Sequence, residues 1–128
     1  MAQYDRVILV DDDEISNYIN ENLIEEAKLG NFIKIYVAAE KALSDIEMAN
    51  NVGYTLLLLD LKMPVFDGFD FLVEFNKLPD YFRSKYDIVV LSSSENPKDI
   101  DRLKKLGIDK YIIKPLTKEK ILDCTSEN

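Results

Sequence analysis

The feature that most constrains the fold is the stretch TLLLLD, residues 55–60, in which four leucines run without a polar break. A strand that is apolar on both sides is stable only where other elements cover both faces of its sheet, as helices do in a parallel α/β sheet. The run ends in a carboxylate, Asp60, which must meet water, a metal or a reacting group because burying an unpaired charge is costly. The stretch therefore predicts a central strand with a functional residue at its carboxyl end.

Short apolar runs alternate with segments of helical period along the rest of the chain. This alternation is typical of a doubly wound α/β domain, in which a parallel sheet carries helices on both faces. No repeat or linker interrupts the pattern, so a single domain over residues 1–128 is expected. The predicted strands are Val7–Val10, Ile33–Ala38, Thr55–Asp60, Ile88–Leu91 and Tyr111–Ile113.

Five helices are expected between and after these strands. The first should end at Gly30, a residue suited to a left-handed C-terminal cap. The fourth has the clearest signals, with Asn96 as N-cap, Pro97 at its first position and Gly107 closing it. The connection 79–87, PDYFRSKYD, is expected either to pack over the core or to offer a contact surface. The apolar stripes expected to face the sheet are Ile15, Tyr18, Ile19, Leu23 and Ala27 in the first helix, Ala39, Ala42, Leu43, Ile46 and Ala49 in the second, Phe69, Leu72 and Val73 in the third, Ile100, Leu103 and Leu106 in the fourth, and Ile121 and Leu122 in the fifth.

Charge and residue types argue against several classes of function. The chain carries 16 Lys and Arg against 24 Asp and Glu, a net charge of −8, and nucleic-acid binding needs clustered basic residues. With no histidine and a single cysteine, Cys124, neither a zinc site nor a disulfide is expected. No apolar run is long enough to cross a bilayer, and the N-terminus lacks the pattern of a secretion signal. These features predict a cytoplasmic protein without nucleic-acid or membrane partners.

Polar residues follow four of the predicted strands at the point where each strand ends. Asp11-Asp12-Asp13 follow the first, Asp60 ends the third, Ser92-Ser93-Ser94 follow the fourth and Lys114-Pro115 follow the fifth. In an open parallel sheet the carboxyl ends of the strands meet at one edge, and ligands bind there. Taken singly, each group has a plainer interpretation, because acids often cap helices and Lys-Pro or serine runs are common in turns. Together they predict a functional site.

The residue types at this edge indicate phosphoryl transfer. Three carboxylates drawn together repel one another unless a pKa rises or a cation is bound. Mg²⁺ binds through one or two carboxylates plus phosphate oxygens, which fits Asp11, Asp12 and Asp60. Lys114 supplies a point charge for phosphate, and the Ser92 hydroxyl supplies a hydrogen-bond donor. In this chemistry a carboxylate can itself be the nucleophile, and Asp60 is the predicted one.

Four segments resemble the receiver domains of two-component response regulators over essentially the whole chain. These segments are VILVDDDE, LLLLDLKMPVFDG, VVLSSSE and DKYIIKPL. The first resembles the family's acidic pair, the second its phosphoacceptor segment, the third its switch hydroxyl and the fourth its aromatic residue with Lys-Pro. The resemblance implies a flavodoxin-like, five-stranded parallel sheet in the order 2-1-3-4-5 with five flanking helices.

The resemblance also implies a role for the acidic residues. Asp60 would accept a phosphoryl group from the phosphohistidine of a sensor histidine kinase or a histidine phosphotransfer protein. Mg²⁺ would be held by Asp12, Asp60 and the main-chain carbonyl of Lys62, with Asp11 supporting the metal mainly through water. The absence of histidine in the chain agrees with a donor imidazole on another protein.

The remaining site residues would form the switch. By resemblance, Lys114 pairs with the phosphoryl oxygens, Ser92 moves to hydrogen-bond one of them, and Tyr111 then turns inward. The surface changed by these movements would bind a downstream protein target, so the chain is expected to be a signalling domain that catalyses at most its own phosphorylation and dephosphorylation.

Ser92 departs from the commonest residue of the family, and Lys62 leaves two alternatives open. Ser92 stands where threonine is commoner, which keeps the hydroxyl but loses the methyl group that restricts its rotamers. Lys62 lies two residues after Asp60, a position whose side chain, by resemblance, helps to set the lifetime of the acyl phosphate. Its ammonium either shields the phosphoryl group or points to solvent.

Two other functions are compatible with part of this pattern. Asp11-x-Asp13 after an apolar strand is similar to the nucleophile and acid/base pair of haloacid dehalogenase-type Mg²⁺-dependent phosphatases. Those enzymes need a further acidic cluster after a late strand, where this chain has Lys114-Pro115. A phosphate-independent interaction module would need only the fold, and it is disfavoured because every position for phosphorylation chemistry is filled.

Overall fold

The computed structural model describes residues 3–49 and 53–125. Its five strands form one parallel sheet in the order β2-β1-β3-β4-β5, which confirms the predicted fold class and strand order. β4 begins two residues before its predicted start, because Thr55 of β3 pairs with Tyr86, and β2 is two residues shorter than predicted. The strands are β1 Arg6–Val10, β2 Ile33–Tyr36, β3 Thr55–Asp60, β4 Tyr86–Ser92 and β5 Tyr111–Ile113.

The described residues contain six helices, one more than expected. They are α1 Glu14–Ala27, α2 Ala39–Met48, α3 Gly68–Phe75, α4 Asp80–Arg83, α5 Pro97–Lys105 and α6 Lys118–Thr125. The additional helix, α4, is a single turn inside the connection 79–87, too short to carry a recognisable stripe. Phe82 of this turn stacks on Tyr86 with ring centroids 5.8 Å apart, while Tyr81 is exposed. In this segment Phe82 therefore packs against the domain, while Tyr81 lies on its surface.

The helices cover the sheet on both faces, as the leucine run requires. Every residue of β3 is buried. One core cluster joins the sheet to α2, α3 and α5 through residues such as Ile46, Leu72 and Leu103. The other joins it to α1 and α6 through Ile24 and Ile121. Val73 of α3 and Leu122 of α6 are 40% and 38% exposed, so the prediction that they face the sheet was wrong. No helix in the described part of the chain is long and apolar enough to cross a membrane.

The face of α1 that packs on the sheet is not the predicted apolar stripe. Ile15, Tyr18 and Ile19 are 72%, 67% and 55% exposed. The buried residues of this helix are Asn17, Asn20 and Ile24. The prediction of an inward-facing stripe at the start of α1 was therefore wrong, because periodicity treats asparagine as a solvent-facing residue. Three apolar side chains are left on the surface beside the carboxyl end of β1.

The helix ends follow the predicted chemistry in one case and differ from it in another. Asn96 accepts a hydrogen bond from the Lys98 amide and Gly107 has φ of 85°, as expected for the ends of α5. In α1 the left-handed residue is Lys28, with φ of 55°, and not Gly30. Gly30 is needed for a different reason, since a Cβ at this position would lie 2.7 Å from Val7 Cγ2.

Candidate functional site

Three carboxylates meet at the carboxyl edge of the sheet. Asp11 directly follows β1 and Asp60 ends β3, and their exposed fractions are only 4% and 5%. Asp12 is exposed. One oxygen from each residue lies within 4.8 Å of the other two. The structure therefore brings together the three acids that the sequence predicted as a group.

Lys114, which directly follows β5, contacts two residues of this acidic cluster. Its Nζ lies 3.1 Å from Asp60 Oδ1 and 3.3 Å from Asp11 Oδ2. Burial alone would lower the pKa of the ammonium, but the charges of Asp60 and Asp11 outweigh burial and the pKa is raised. Lys114 is followed by Pro115 across a cis peptide bond, and its amide donates to the Ser92 carbonyl at 2.9 Å. Lys114 therefore stays protonated at the position that the sequence predicted.

The environment of Asp60 raises its pKa from 3.8 to about 6. Burial is the largest cause and the neighbouring charge of Asp11 is the second, while Lys114 acts in the opposite direction. A carboxylate with a raised pKa is more basic than a free aspartate and is a better ligand or nucleophile once ionised. Asp60 combines this basicity with a cation on one side and a second carboxylate on the other.

Asp11 is oriented by hydrogen bonds from the first turn of α1. The Asp13 amide donates to Asp11 Oδ1 at 2.9 Å, and Asn17 Nδ2 donates to the Asp11 carbonyl at 2.8 Å. Asp13 itself caps the helix, accepting from the Ile15 amide and the Ser16 hydroxyl, each at 3.0 Å. The plainer interpretation of Asp13 as a cap is therefore correct. Sequence reasoning missed Asn17, because a polar residue directly before the predicted stripe residue Tyr18 carries no signal of burial.

The loop after β3 folds back onto the site through Gly68. Its amide donates to the Leu61 carbonyl at 3.0 Å, and a Cβ at this position would lie 2.7 Å from the Asp60 carbonyl oxygen. Asp67 and Asp70 form a capping box that starts α3 at the same point. Glycine is therefore required at position 68 for the close approach of this loop to the end of β3.

The two predicted switch residues, at the end of β4 and the start of β5, both hydrogen-bond to the loop after β4. Ser92 is fully buried, and its hydroxyl oxygen accepts from the Ser94 amide at 3.0 Å. The Tyr111 hydroxyl donates to the Ser94 carbonyl. Ser92 and Tyr111 are thus connected through one residue of this loop, although their side chains do not hydrogen-bond each other.

The Lys62 side chain has a partner in α5. It is 65% exposed, and its Nζ lies 3.8 Å from Asp99 Oδ2. The ammonium therefore neither contacts the acidic cluster nor is left entirely to solvent.

Proteins of one known family resemble this chain in sequence. A profile of the response regulator receiver domain matches residues 7–126. The chain belongs to this receiver-domain family. It is 28% identical over 122 residues to the chemotaxis protein CheY of Halobacterium salinarum, a match that covers 95% of this chain and 94% of that protein. It is 31% identical over 116 residues to a two-component response regulator of Oryza sativa subsp. japonica, covering 91% of this chain and 87% of the relative.

The fold is shared with solved receiver structures. A crystal structure of a response regulator receiver protein from Dyadobacter fermentans superimposes with a TM-score of 0.83 at 24% identity and covers 92% of both chains. The profile match over residues 7–126 confirms the predicted family. The family match does not favour the phosphatase alternative, and Asp13, the acid/base residue of that alternative, caps α1 in the structure.

Proposed function

We propose that this receiver domain is a phosphorylation switch in which Asp60 accepts a phosphoryl group from a phosphohistidine. The donor is a sensor histidine kinase or a histidine phosphotransfer protein, and the output is contact with a downstream protein target. The observation that carries the proposal is the placement of Asp60 between Asp11 and Lys114, with Lys114 Nζ 3.1 Å from Asp60 Oδ1. The proposed site of action is the cytoplasm.

The transfer step forms one bond and breaks another. An oxygen of the ionised Asp60 carboxylate attacks the phosphorus, the bond between phosphorus and the imidazole nitrogen breaks, and the leaving imidazole takes a proton from solvent. The protein mainly positions groups and offsets charge in such a reaction. Lys114, already 3.1 Å from Asp60, offsets the charge of the arriving phosphoryl oxygens.

The acidic cluster is suited to Mg²⁺. Its carboxylates are hard oxygen ligands, their oxygens lie within 4.8 Å of one another, and the exposed Asp12 leaves a side open to solvent and phosphate. Asp12, Asp60 and the main-chain carbonyl of Lys62 would hold the ion, and Asp11 would support it through water. The ion supplies positive charge that neutralises the phosphoryl oxygens and the clustered acids.

Ser92 and Tyr111 carry the signal away from Asp60. A phosphoryl oxygen offers the buried Ser92 hydroxyl an acceptor, and movement of Ser92 changes the loop to which Tyr111 is hydrogen-bonded through the Ser94 carbonyl. The phosphoryl group shifts the equilibrium between two positions of this loop. The shift is as large as the difference between its interaction free energies with the two positions. Receiver activity in this sense is catalysis by the domain of its own phosphorylation, from an external phosphodonor, and of its own dephosphorylation.

The donor protein docks beside the site on the α1 apolar face, which consists of Ile15, Tyr18 and Ile19. Ile19 also lines a groove of about 350 Å³ together with Lys114, Pro115 and Leu116. An apolar surface next to the reacting carboxylate suits the side of a helix that presents a phosphohistidine. The downstream target binds the surface that Tyr111 modifies.

Phosphoryl uptake tests the proposed function. The native protein, Asp60→Asn and the control Asp109→Asn, an exposed acid outside the cluster, are incubated with acetyl phosphate and Mg²⁺ and their intact masses are compared. We expect one added phosphoryl group on the native protein and on Asp109→Asn, and none on Asp60→Asn. Equal uptake by all three proteins, or uptake by none, would contradict the proposal.

A further inference from the structure

The ion pair between Lys62 and Asp99 links the loop after β3 to the first turn of α5. At 3.8 Å the two charged atoms are beyond hydrogen-bond distance, and the Lys62 side chain is 65% exposed. Exposed pairs of this kind change an equilibrium by about fivefold at most. The pair is thus weak enough to exchange for another anion that comes within reach of Lys62.

Asp99 is the fixed partner in this pair. Its side chain is only 20% exposed, and the Ser94 hydroxyl donates to the same oxygen, Oδ2, at 2.7 Å. Ser94 is held in turn by its own amide, which donates to Ser92 Oγ at 3.0 Å. In the unphosphorylated protein Asp99 is therefore held more firmly than the long, 65% exposed Lys62 side chain.

A phosphoryl group on Asp60 introduces the competing anion. Lys62 lies two residues beyond Asp60, and a phosphoryl dianion attracts an ammonium more strongly than a single carboxylate does. Resting on the function proposed above, we propose that Asp99 is a positioning residue that draws the Lys62 ammonium away from the phosphoryl group and so shortens the life of the acyl phosphate.

The chemistry of hydrolysis gives the direction of the effect. Water attacks the phosphorus, the bond to the Asp60 oxygen breaks, the carboxylate is regenerated, and inorganic phosphate leaves with the oxygen and protons of the water. Water must attack in line with the bond that breaks, from the open side of the phosphorus. A Lys62 side chain paired with the phosphoryl oxygens takes up space that this water must cross, so it slows hydrolysis.

A double-mutant cycle with a defined phosphodonor tests the proposal. The native protein, Asp99→Asn, Lys62→Asn and the double variant are phosphorylated with acetyl phosphate and Mg²⁺ and freed of the phosphodonor, and the decay of the phosphorylated mass is followed. Asp99→Asn should lengthen the half-life by about 1.5- to 5-fold, because it releases Lys62. Lys62→Asn should shorten the half-life, and Asp99→Asn should have no further effect in the Lys62→Asn background.

Two further variants separate positioning from general structural damage. Asp99→Glu keeps the charge and should restore a half-life close to the native one, whereas Asp101→Asn, an exposed acid on the same helix, should leave it unchanged. The proposal would be overturned if Asp99→Asn left the half-life unchanged or shortened it. It would also be overturned if Asp99→Asn lengthened the half-life equally in the native and the Lys62→Asn backgrounds. If phosphoryl uptake is normal in these cases, only the role of Asp99 fails. Failure of every variant and of the native protein to take up phosphate overturns the proposed function and this role with it.

Discussion

Asp60 is the residue on which the proposed chemistry depends, and its surroundings make it an unusual carboxyl group. Burial and the charge of Asp11 raise its pKa to about 6, while Lys114 limits the rise. The same features that make it basic also make its ionised form costly in the folded protein without a bound cation. The ionised Asp60 carboxylate should therefore measurably lower the free energy of unfolding of the metal-free protein.

Replacing this carboxyl group should stabilise the metal-free protein at neutral and alkaline pH. A carboxyl pKa that is higher in the folded than in the unfolded state, about 6 against 3.8, means that stability is lost as the pH rises through this window. In Mg²⁺-free buffer we expect Asp60→Asn to raise the free energy of unfolding at about pH 8 by up to about 3 kcal/mol. The gain should shrink as the pH falls to about 5. Denaturant unfolding of native and variant protein checks this. A gain in the free energy of unfolding that grows on acidification would show that the pKa of Asp60 is lowered and not raised.

At the scale of elements, α1 shows both what periodicity predicts and where it fails. The position of the helix and the capping role of Asp13 were predictable from local chemistry. The face that packs on the sheet was not, because Asn17 is buried for its hydrogen bond to the Asp11 carbonyl and Ile19 is exposed. A sequence does not distinguish an apolar residue that packs in the core from one that is available to a partner.

The α1 apolar face should matter for the donor protein and not for the chemistry. Ile19→Glu adds a charge at a position that is 55% exposed, so the fold should tolerate it. Transfer from a phosphorylated histidine phosphotransfer protein should fall by tenfold or more, on the order of the 1.4 kcal/mol that an apolar anchor contributes. Uptake from acetyl phosphate should stay at the native level. Loss of both reactions would instead indicate damage to the site, and retention of both would place docking elsewhere. Leu122→Glu, on α6 and 38% exposed, is the matched control.

At the scale of the whole molecule, the leucine run of β3 and the alternation of strands and helices were enough to predict the sheet. The same topology made it predictable that Asp11, Asp60 and Lys114 would meet, because parallel strands align their carboxyl ends. The short helix α4 was not predictable because a single turn is too short to carry an apolar stripe. The pair between Lys62 and Asp99 was not predictable because it depends on the distance between two segments that no local pattern encodes. The sequence is thus most informative where the backbone topology alone brings residues together.

The central claim is that Asp60 carries the phosphoryl group, and locating the modification tests it most directly. Protein treated with acetyl phosphate and Mg²⁺ is reduced with borohydride, which converts an aspartyl phosphate to homoserine, and its peptides are sequenced by tandem mass spectrometry. We predict homoserine at position 60 in the phosphorylated protein and unmodified aspartate at Asp11 and Asp12. Homoserine at Asp11, or at any aspartate other than Asp60, would contradict the assignment.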